Sequence, residues 1–259
     1  MTPNKQFSTA LTVEWMKFRR SPVVIITTLL LIVGLLAMCG ALLYAIQSGN
    51  PQLIAKAGPT AAAGGWTGIF AIASQVVPTA GLLAFGVVAG WVFGREFTEG
   101  TVIGLFARPV SRTVLALAKF TILLLWIAAC TLGLVSSLLL LGIALRLGPI
   151  DSALLSLAAK LVVVGVLTGL LALVAGLVAT WTRGYLSAIG TIIGVVVLAV
   201  IASFVGVGGW FPYAAPGIWA ATPSSTVLTL TMTIQLLLVV PVAAIIAALT
   251  VRAWSRLQL

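Results

Sequence analysis

Residues 22–46 read PVVIITTLLLIVGLLAMCGALLYAI, a long run without a charged side chain. A helix needs about 20 mainly apolar residues to cross the hydrocarbon core of a bilayer, so this run predicts a membrane-spanning helix. The run is also longer than the roughly 7 to 15 apolar residues of a secretory signal peptide, and no small-x-small cleavage site follows it. We therefore expect a retained span and not a removed leader.

The rest of the chain repeats this pattern. Of its 259 residues, 61% are hydrophobic and 7% are charged, which leaves too few charges to cover the surface of a soluble protein. An outer-membrane barrel would show alternating segments of roughly ten residues, and that pattern is absent. The sequence predicts an all-α polytopic membrane protein, a single transmembrane domain over residues 1–259 with six transmembrane helices. Spans two to six are expected at residues 69–93, 120–145, 161–181, 185–207 and 229–251.

Lysine and arginine indicate the orientation, because cytoplasmic loops carry an excess of them. With the N-terminus inside, the outer side receives only Lys56, Arg146 and Lys160. Both termini are then cytoplasmic, in a multi-pass protein of the bacterial inner (cytoplasmic) membrane. The net charge of +10 is explained by topology and by contact with anionic membrane lipids, without nucleic acid. The basic residues on the inner side are Lys5, Lys17, Arg19, Arg20, Arg95, Arg108, Arg112, Lys119, Arg183, Arg252 and Arg256.

Several activities are disfavoured by what the sequence lacks. None of its four acidic residues falls within a predicted span, whereas proton- or sodium-coupled carriers hold ionisable residues at membrane depth. No GxxxxGK[ST] motif offers a nucleotide site, and there is no histidine to activate a serine or to bind a metal. We expect no catalytic residue, metal site or cofactor in this chain, so energy for any transport would come from another subunit.

Residues 5–20, before span one, have the pattern of an amphipathic helix. Phe7, Ala10, Leu11, Trp15 and Phe18 recur at helical spacing, with most of the charges on other faces. The pattern predicts an interfacial elbow helix that lies with its aromatic side in the membrane surface and ends at Pro22. A simple anchor and a contact with a partner both remain open. The residues of interest in it are Glu14, Trp15, Lys17, Phe18, Arg19 and Arg20.

Residues 94–119 form the longest predicted cytoplasmic loop. Gly100 and Thr101 offer a turn or a helix start, and Pro109 forces an extended or turn geometry on Arg108. Ser111 can cap a short helix that runs into span three. Such a loop suits docking onto another protein, although a solvated connector is the alternative.

At these residues the chain resembles the permease subunits of ATP-binding-cassette (ABC) exporters of the second, six-helix type, which include bacitracin-export-like and sodium-export-like permeases. The family pattern in this loop is Glu, then Gly-Thr, then Pro-[Val/Ile]-Ser-Arg, then Lys at the mouth of span three. All of it is present in order, and Glu14, Lys17, Arg20 and Ser21 add to the resemblance before span one. The matching loop residues are Gly94, Glu96, Gly100, Thr101, Pro109, Ser111, Arg112 and Lys119.

The resemblance implies two such permease subunits, as a homodimer or a heterodimer, each resting on one of two ATP-binding subunits that hold ATP and Mg. The loop would form a cytoplasmic coupling helix, with Glu96, Thr101 and Arg112 facing the ATPase together with Arg108. Alternating access would then export an amphipathic, peptide or lipid-like substrate. A non-transporting scaffold or sensor that recruits the same ATPase is the main alternative, and an ATP-independent channel or carrier is a third. The implied coupling residues are Glu96, Glu99, Gly100, Thr101, Arg108, Pro109, Ser111 and Arg112.

Small and weakly polar residues recur within the predicted spans. Glycines four residues apart let helices approach closely, which favours packing within the bundle, or alternatively at a seam between two subunits. Hydroxyl and amide side chains could line a path or bond to backbone carbonyls. The segment 208–224 is rich in Gly, Pro and aromatic residues, and we hypothesise that it re-enters the bilayer. The packing glycines are Gly86, Gly90, Gly94, Gly165, Gly169, Gly190 and Gly194, and the candidate path residues are Thr28, Gln75, Ser136, Thr168, Ser203 and Gln235.

Overall fold

The computed structural model describes residues 3–49, 52, 55, 64–101, 104, 111–223 and 228–257. These residues form helices and turns, with no strand among them, and six helices are long and apolar enough to cross a membrane. The predicted all-α fold with six spans is confirmed. Spans one to six are Pro22–Ile46, Gly65–Thr98, Arg112–Ala144, Ser152–Trp181, Leu186–Phe204 and Leu230–Ser255.

Four of these helices extend past the first charged residue at their ends. Span two continues through Arg95 and Glu96, and span six continues through Arg252. Span three begins before Lys119, and span four begins before Lys160. Glu96, which lies beyond the predicted end of span two at residue 93, is therefore in the last turns of the same helix. A hydropathy pattern stops at a charge, whereas a helix continues wherever the charged side chain finds partners inside the protein.

Side-chain caps start the spans where the sequence offers them. The hydroxyl of Ser21 accepts a hydrogen bond from the Val24 amide at 3.4 Å, and Pro22 occupies the first turn, where no N–H is needed. Ser111 caps as predicted, accepting from the Val114 amide at 3.2 Å. The helix that follows Ser111 is, however, span three itself and not a separate short helix.

Two prolines interrupt spans. In span two, helix Gly65–Val76 is joined to helix Leu82–Thr98 by a π-helical segment, Val77–Gly81, that contains Pro78. Span six consists of Leu230–Leu237 and Val239–Ser255, and Pro241 follows the break. Proline has no N–H to donate within a helix, so the regular hydrogen-bond ladder fails at both places. Span four also divides, into Ser152–Leu171 and Val174–Trp181, and its break contains no proline.

Spans two, three and four form the interior. In the most apolar 18-residue stretch of each helix, 56%, 50% and 61% of the residues are buried in spans two, three and four. The corresponding shares in spans one, five and six are 22%, 11% and 22%. The C-terminal half of span two packs closely on the start of span five, since a Cβ on Gly86 would lie 2.5 Å from Ile192 and one on Gly90 would lie 2.9 Å from Ala188. The predicted close packing thus describes span two well.

The other two predicted glycine pairs differ in how closely they pack against a neighbouring helix. A Cβ on Gly165 would meet Thr131 at 2.6 Å and one on Gly169 would meet Ile127 at 2.2 Å, so span four packs tightly on span three. Gly190 and Gly194 have open space around them, since they lie on the outward face of span five. For Gly190 and Gly194, the prediction of packing within the subunit is wrong, because both glycines face away from the bundle.

Two short elements flank the spans. Helix Pro3–Arg19, called here the N-terminal helix, packs mainly against span three and buries Ala10 and Phe18. Between spans five and six, a 3-10 turn, Gly208–Trp210, precedes Ala215–Ala221, called here the external helix after its predicted side of the membrane. The external helix packs on spans two and four. Re-entry of this segment into a bilayer stays a prediction.

Candidate functional site

Four charged side chains meet where the N-terminal helix joins the bundle. Glu14 comes from that helix, Arg95 and Glu96 come from the last turns of span two, and Lys119 comes from span three. They are 2%, 6%, 1% and 0% exposed, respectively. We call these four residues the charge cluster.

Lys119 lies at the centre of the charge cluster. Its ammonium donates to Glu14 Oε2 at 3.0 Å, to Glu96 Oε1 at 2.8 Å and to the carbonyl oxygen of Val92 at 3.0 Å. An ammonium has three donors, and these contacts use all of them. The ring of Trp254, from span six, lies 5.5 Å from the Lys119 nitrogen. One side chain therefore connects the N-terminal helix with spans two and six.

Glu14 is held on both of its oxygens. Oε2 also accepts from Arg95 at 2.9 Å, and Oε1 accepts from Lys17 at 3.1 Å. Burial would raise the pKa of Glu14, but the positive charges of Lys119, Lys17 and Arg95 outweigh it and lower that pKa to about 2. Glu14 is therefore an anion at neutral pH.

Only one of the two carboxylate oxygens of Glu96 has a hydrogen-bond partner among the described residues. Its Oε1 accepts from Lys119 and lies 3.5 Å from Lys17, whereas its Oε2 is buried with no hydrogen-bond partner among the described residues. A buried polar atom without a partner costs about 1 to 3 kcal/mol. The cluster is thus strongly bonded at Glu14 and incompletely bonded at Glu96.

This arrangement is suited to mechanical connection. Two carboxylates balance two buried cations, and Lys17 adds a third cation at the rim with 37% of its side chain exposed. Removing one partner of such a buried set costs about 3 to 5 kcal/mol, because another charge is left uncompensated. Relative movement of the N-terminal helix, span two and span three would require breaking these contacts, so the three elements hold together.

Some of the predicted coupling residues are exposed in the structure, whereas Glu96 is buried. Glu99, Gly100, Thr101 and Ser111 are exposed, and Gly100 has φ +68°, a backbone conformation that favours glycine, as its predicted place in a turn requires. The buried Glu96 carboxylate does not reach a partner surface in this conformation. Any coupling role of Glu96 would pass through Lys119.

Of the remaining predicted coupling residues, the structure describes only Arg112. Arg112 donates to the carbonyl of Leu257, near the other end of the chain. Arg108 and Pro109 lie outside the described residues. Participation of the whole set in ATPase coupling stays a prediction.

The N-terminal helix differs from its predicted orientation in one respect. Glu14, which the pattern placed away from the apolar face, lies on the buried face between Ala10 and Phe18. The sequence contained the signal, since residues 10, 14 and 18 are four apart and share one side of a helix. The aromatic Trp15 is 48% exposed, while Phe18 packs edge-on against Trp126 of span three. An interfacial position for this helix stays a prediction.

Three of the six candidate path residues donate a hydrogen bond to a nearby backbone carbonyl. Thr28 donates to the Val24 carbonyl and accepts from Trp126 Nε1 at 3.0 Å, and Thr168 donates to the Val164 carbonyl. Ser203 donates to the Ala199 carbonyl but also lines a cavity. Gln75 lines a second, smaller cavity. The backbone-bonding role fits Thr28 and Thr168, while path lining by Ser136, Gln235 and the others stays a prediction.

Two apolar cavities open on the bundle. One, of about 380 Å³, lies between the π-helical segment of span two, span five and the external helix, and Ser203 and Tyr213 are among its lining residues. Burial raises the pKa of Tyr213 to about 12, so its hydroxyl stays protonated. The other, of about 490 Å³, lies between spans three, four and six near Arg252.

Comparison with known proteins places these features in a wider group. The family described as "ABC-2 family transporter protein" matches residues 10–199, which include the whole charge cluster. The chain is also similar to the bacitracin transport permease protein BCRB of Bacillus licheniformis, with 38% identity over 56 residues. That alignment covers 22% of this chain and 27% of the relative.

Proposed function

The chain belongs to the ABC-2 family of transporter proteins, as a permease subunit, and from this we propose that it couples ATP hydrolysis by two copies of a separate ATP-binding subunit to export. The substrate in this proposal is an amphipathic, peptide or lipid-like compound, moved by alternating access. The name of the B. licheniformis relative makes bacitracin one candidate. A second permease subunit, identical or similar, would complete the path.

The charge cluster is the observation that supports this coupling role. The exposed residues Glu99, Gly100 and Thr101 directly follow span two and offer a surface for the ATP-binding subunit. A push on that surface acts on Glu96 and Arg95, which lie one turn earlier in the same helix. Through Lys119 and Glu14 the displacement reaches span three and the N-terminal helix together.

Span two also supplies a route for the displacement into the membrane. Its glycine face lies against the start of span five at Gly86, Gly90 and Gly94. Smooth, close-packed helix surfaces can shift against one another without unlocking large side chains. We infer that span two carries the movement of the coupling surface toward span five and the cavity of about 380 Å³ beside it.

The test uses the complex of the permease with its ATP-binding subunit, reconstituted in proteoliposomes. ATP hydrolysis and ATP-dependent movement of bacitracin and of a fluorescent phospholipid are measured together. Glu96→Gln keeps the shape of the side chain but removes one anion from Lys119, so transport per ATP should fall by about tenfold or more. Lys17→Gln, at the exposed rim of the same cluster, is the matched control and should retain most of the coupling.

A surface variant separates docking from transmission. Thr101→Arg should weaken binding of the ATP-binding subunit while leaving membrane insertion unchanged, because Thr101 is exposed. Unaltered transport per ATP in Glu96→Gln would contradict the coupling role of the cluster. ATP-independent flux through the unmodified complex would indicate a channel or carrier, and nucleotide-sensitive association without transport of any probe would indicate a scaffold or sensor.

A further inference from the structure

A second buried lysine lies on the opposite side of the bundle from the charge cluster. Lys160 belongs to span four, about 12 Å along the helix from Ser152 at 1.5 Å per residue, and it is only 8% exposed. The predicted topology puts it in the outer half of the membrane. A lysine this close to a helix end could extend to the interface, but here it is covered by protein.

The contacts of Lys160 are all neutral. Its ammonium donates to the backbone carbonyl of Thr222 and lies 3.4 Å from the Thr222 hydroxyl. The ring of Trp219 lies 5.4 Å away. Among the ion pairs of the described residues, none includes Lys160. The cation is thus buried without a counter-charge.

Such a lysine is costly to keep. A charge removed from water is normally compensated by an opposite charge, and ionisable residues within spans mark binding sites or paths by default. Attachment of the external helix to span four could be achieved by neutral side chains. The retained positive charge therefore points to a negative ligand.

A small polar space and a larger apolar space lie close to Lys160. Beside Lys160 is a cavity of about 10 Å³, the room of a single water, whose lining also includes the polar residues Thr67, Ser74 and Gln75. A larger polar group can enter it only when the external helix moves. On the other side of the external helix lies the apolar cavity of about 380 Å³, a volume within the usual range of ligand pockets. Ala221, at the end of the external helix, lines both cavities. Only this short helix separates the lysine from the apolar space.

We propose that Lys160 is a binding site for the anionic head of an exported amphiphile, such as a phosphate or carboxylate, whose apolar chain occupies the 380 Å³ cavity. In the present conformation the Thr222 carbonyl takes the place of the anion on the ammonium. Binding requires the external helix to move away from span four, so that Lys160 exchanges a neutral acceptor for a charged one. This assignment rests on the proposed export function, whose substrate class it narrows.

The test needs no ATP-binding subunit. The purified permease in dodecyl maltoside is titrated with dodecyl phosphate, dodecanol and inorganic phosphate, and binding is followed by tryptophan fluorescence. Trp219→Phe identifies the part of the signal that comes from beside Lys160. Dodecyl phosphate should bind at least about tenfold more tightly than dodecanol, the size of one charge-assisted contact.

Three variants test the role of the lysine. Lys160→Met should abolish the preference for the phosphate over the alcohol, and Lys160→Arg should keep it. Arg146→Gln removes an exposed cation on the predicted outer side and should leave binding unchanged. Monodispersity and thermal midpoint show whether each variant is folded, and the headgroup preference is a ratio that a purely structural role would not alter.

Three outcomes would overturn the assignment. The first is an equal affinity of the unmodified protein for the two dodecyl compounds, and the second is an unchanged preference in folded Lys160→Met. The third is binding of inorganic phosphate as tight as that of dodecyl phosphate, which would make the ligand a free anion and exclude the amphiphile. Failure of this test leaves the Glu96 uncoupling experiment unaffected, and failure of that experiment leaves this binding measurement interpretable.

Discussion

Lys119 and Lys160 are two buried lysines with similar positions against a tryptophan ring and opposite electrostatic surroundings. The ring centroid lies 5.5 Å from the nitrogen in one case and 5.4 Å in the other. Lys119 donates to two carboxylates, whereas Lys160 donates to a backbone carbonyl and has only a hydroxyl besides. The same residue type therefore belongs to a charge-balanced ion cluster at one end of the bundle and is an uncompensated cation at the other.

The difference indicates what each lysine can do. A lysine with all three donors used by fixed partners resists movement and can transmit it, because a displaced partner draws the others along. A lysine without a counter-charge gains most from a ligand that brings one. We expect removal of the charge to damage the fold at Lys119 and to alter recognition at Lys160.

The largest predicted effect is that of Lys119→Met. It leaves Glu14 and Glu96 buried, with Arg95 as the one remaining buried cation of the cluster, and should destabilise the protein by about 3 to 5 kcal/mol. The midpoint of thermal unfolding in detergent measures the loss. The double variant Lys119→Met with Glu14→Gln should be more stable than Lys119→Met alone, because it also removes one stranded anion. A double variant that simply adds the two losses would show that the cluster does not act as a unit.

The second prediction concerns pH. The pKa of Glu14 is lowered from 4.5 to about 2, so its contribution to stability is complete above pH 4.5 and is lost as the pH falls through 2. The unfolding midpoint of the unmodified protein should fall over this window toward that of Glu14→Gln. A constant difference between the two proteins from pH 5 to pH 2 would contradict the assignment of this proton to Glu14.

A third prediction compares close packing beside the cluster with the open surface of span five. A Cβ on Gly94 would lie 2.8 Å from the Tyr185 nitrogen, a backbone atom that cannot rotate away, so Gly94→Ala should cost about 1 to 3 kcal/mol. Gly194 has nothing within 4 Å, and Gly194→Ala should be neutral or slightly stabilising within the subunit. Unfolding midpoints of the two variants give the comparison. Equal effects would show that the contact with Tyr185 is not a constraint.

Of the two lysines, Lys160 is expected to show the smaller effect on stability when it is replaced by methionine. The variant loses the contact with Thr222 but also loses the cost of an uncompensated charge, so we expect a change within about 1 kcal/mol. The same detergent unfolding assay used for Lys119→Met tests this directly. A loss of stability as large as that of Lys119→Met would show that Lys160 mainly stabilises the fold. The distinction between the two lysines would then be removed.

Hydropathy predicted the number of spans and their approximate positions, because each span contains an uncharged run of sufficient length. Local capping chemistry was equally readable at Ser111, where a hydroxyl precedes an apolar run. The charge cluster was not predicted. Glu14, Glu96 and Lys119 lie in three separate segments, and their meeting depends on how the N-terminal helix packs on the bundle.

Lys160 is not recognisable as a candidate binding residue when span four is taken to begin at residue 161. Taking span four from residue 161 placed this lysine outside the membrane, where it counted only toward orientation. Asp151 caps the helix, accepting from the Leu154 amide at 2.9 Å, and the mainly apolar segment between them belongs to the same helix. Reading the cap and the apolar run together would have put the lysine inside the span. Its contact with Thr222 depends on the tertiary fold, since the two residues are 62 positions apart.

The π-helical segment Val77–Gly81 changes the angular register of span two. A π turn adds one residue to the winding, which rotates everything beyond it by roughly 100°, the angle one residue occupies in an α-helix. A helical wheel drawn through the whole of Gly65–Thr98 therefore groups residues that point in different directions. Cysteine pairs or spin labels designed to measure movement of span two need separate wheels for Gly65–Val76 and Leu82–Thr98.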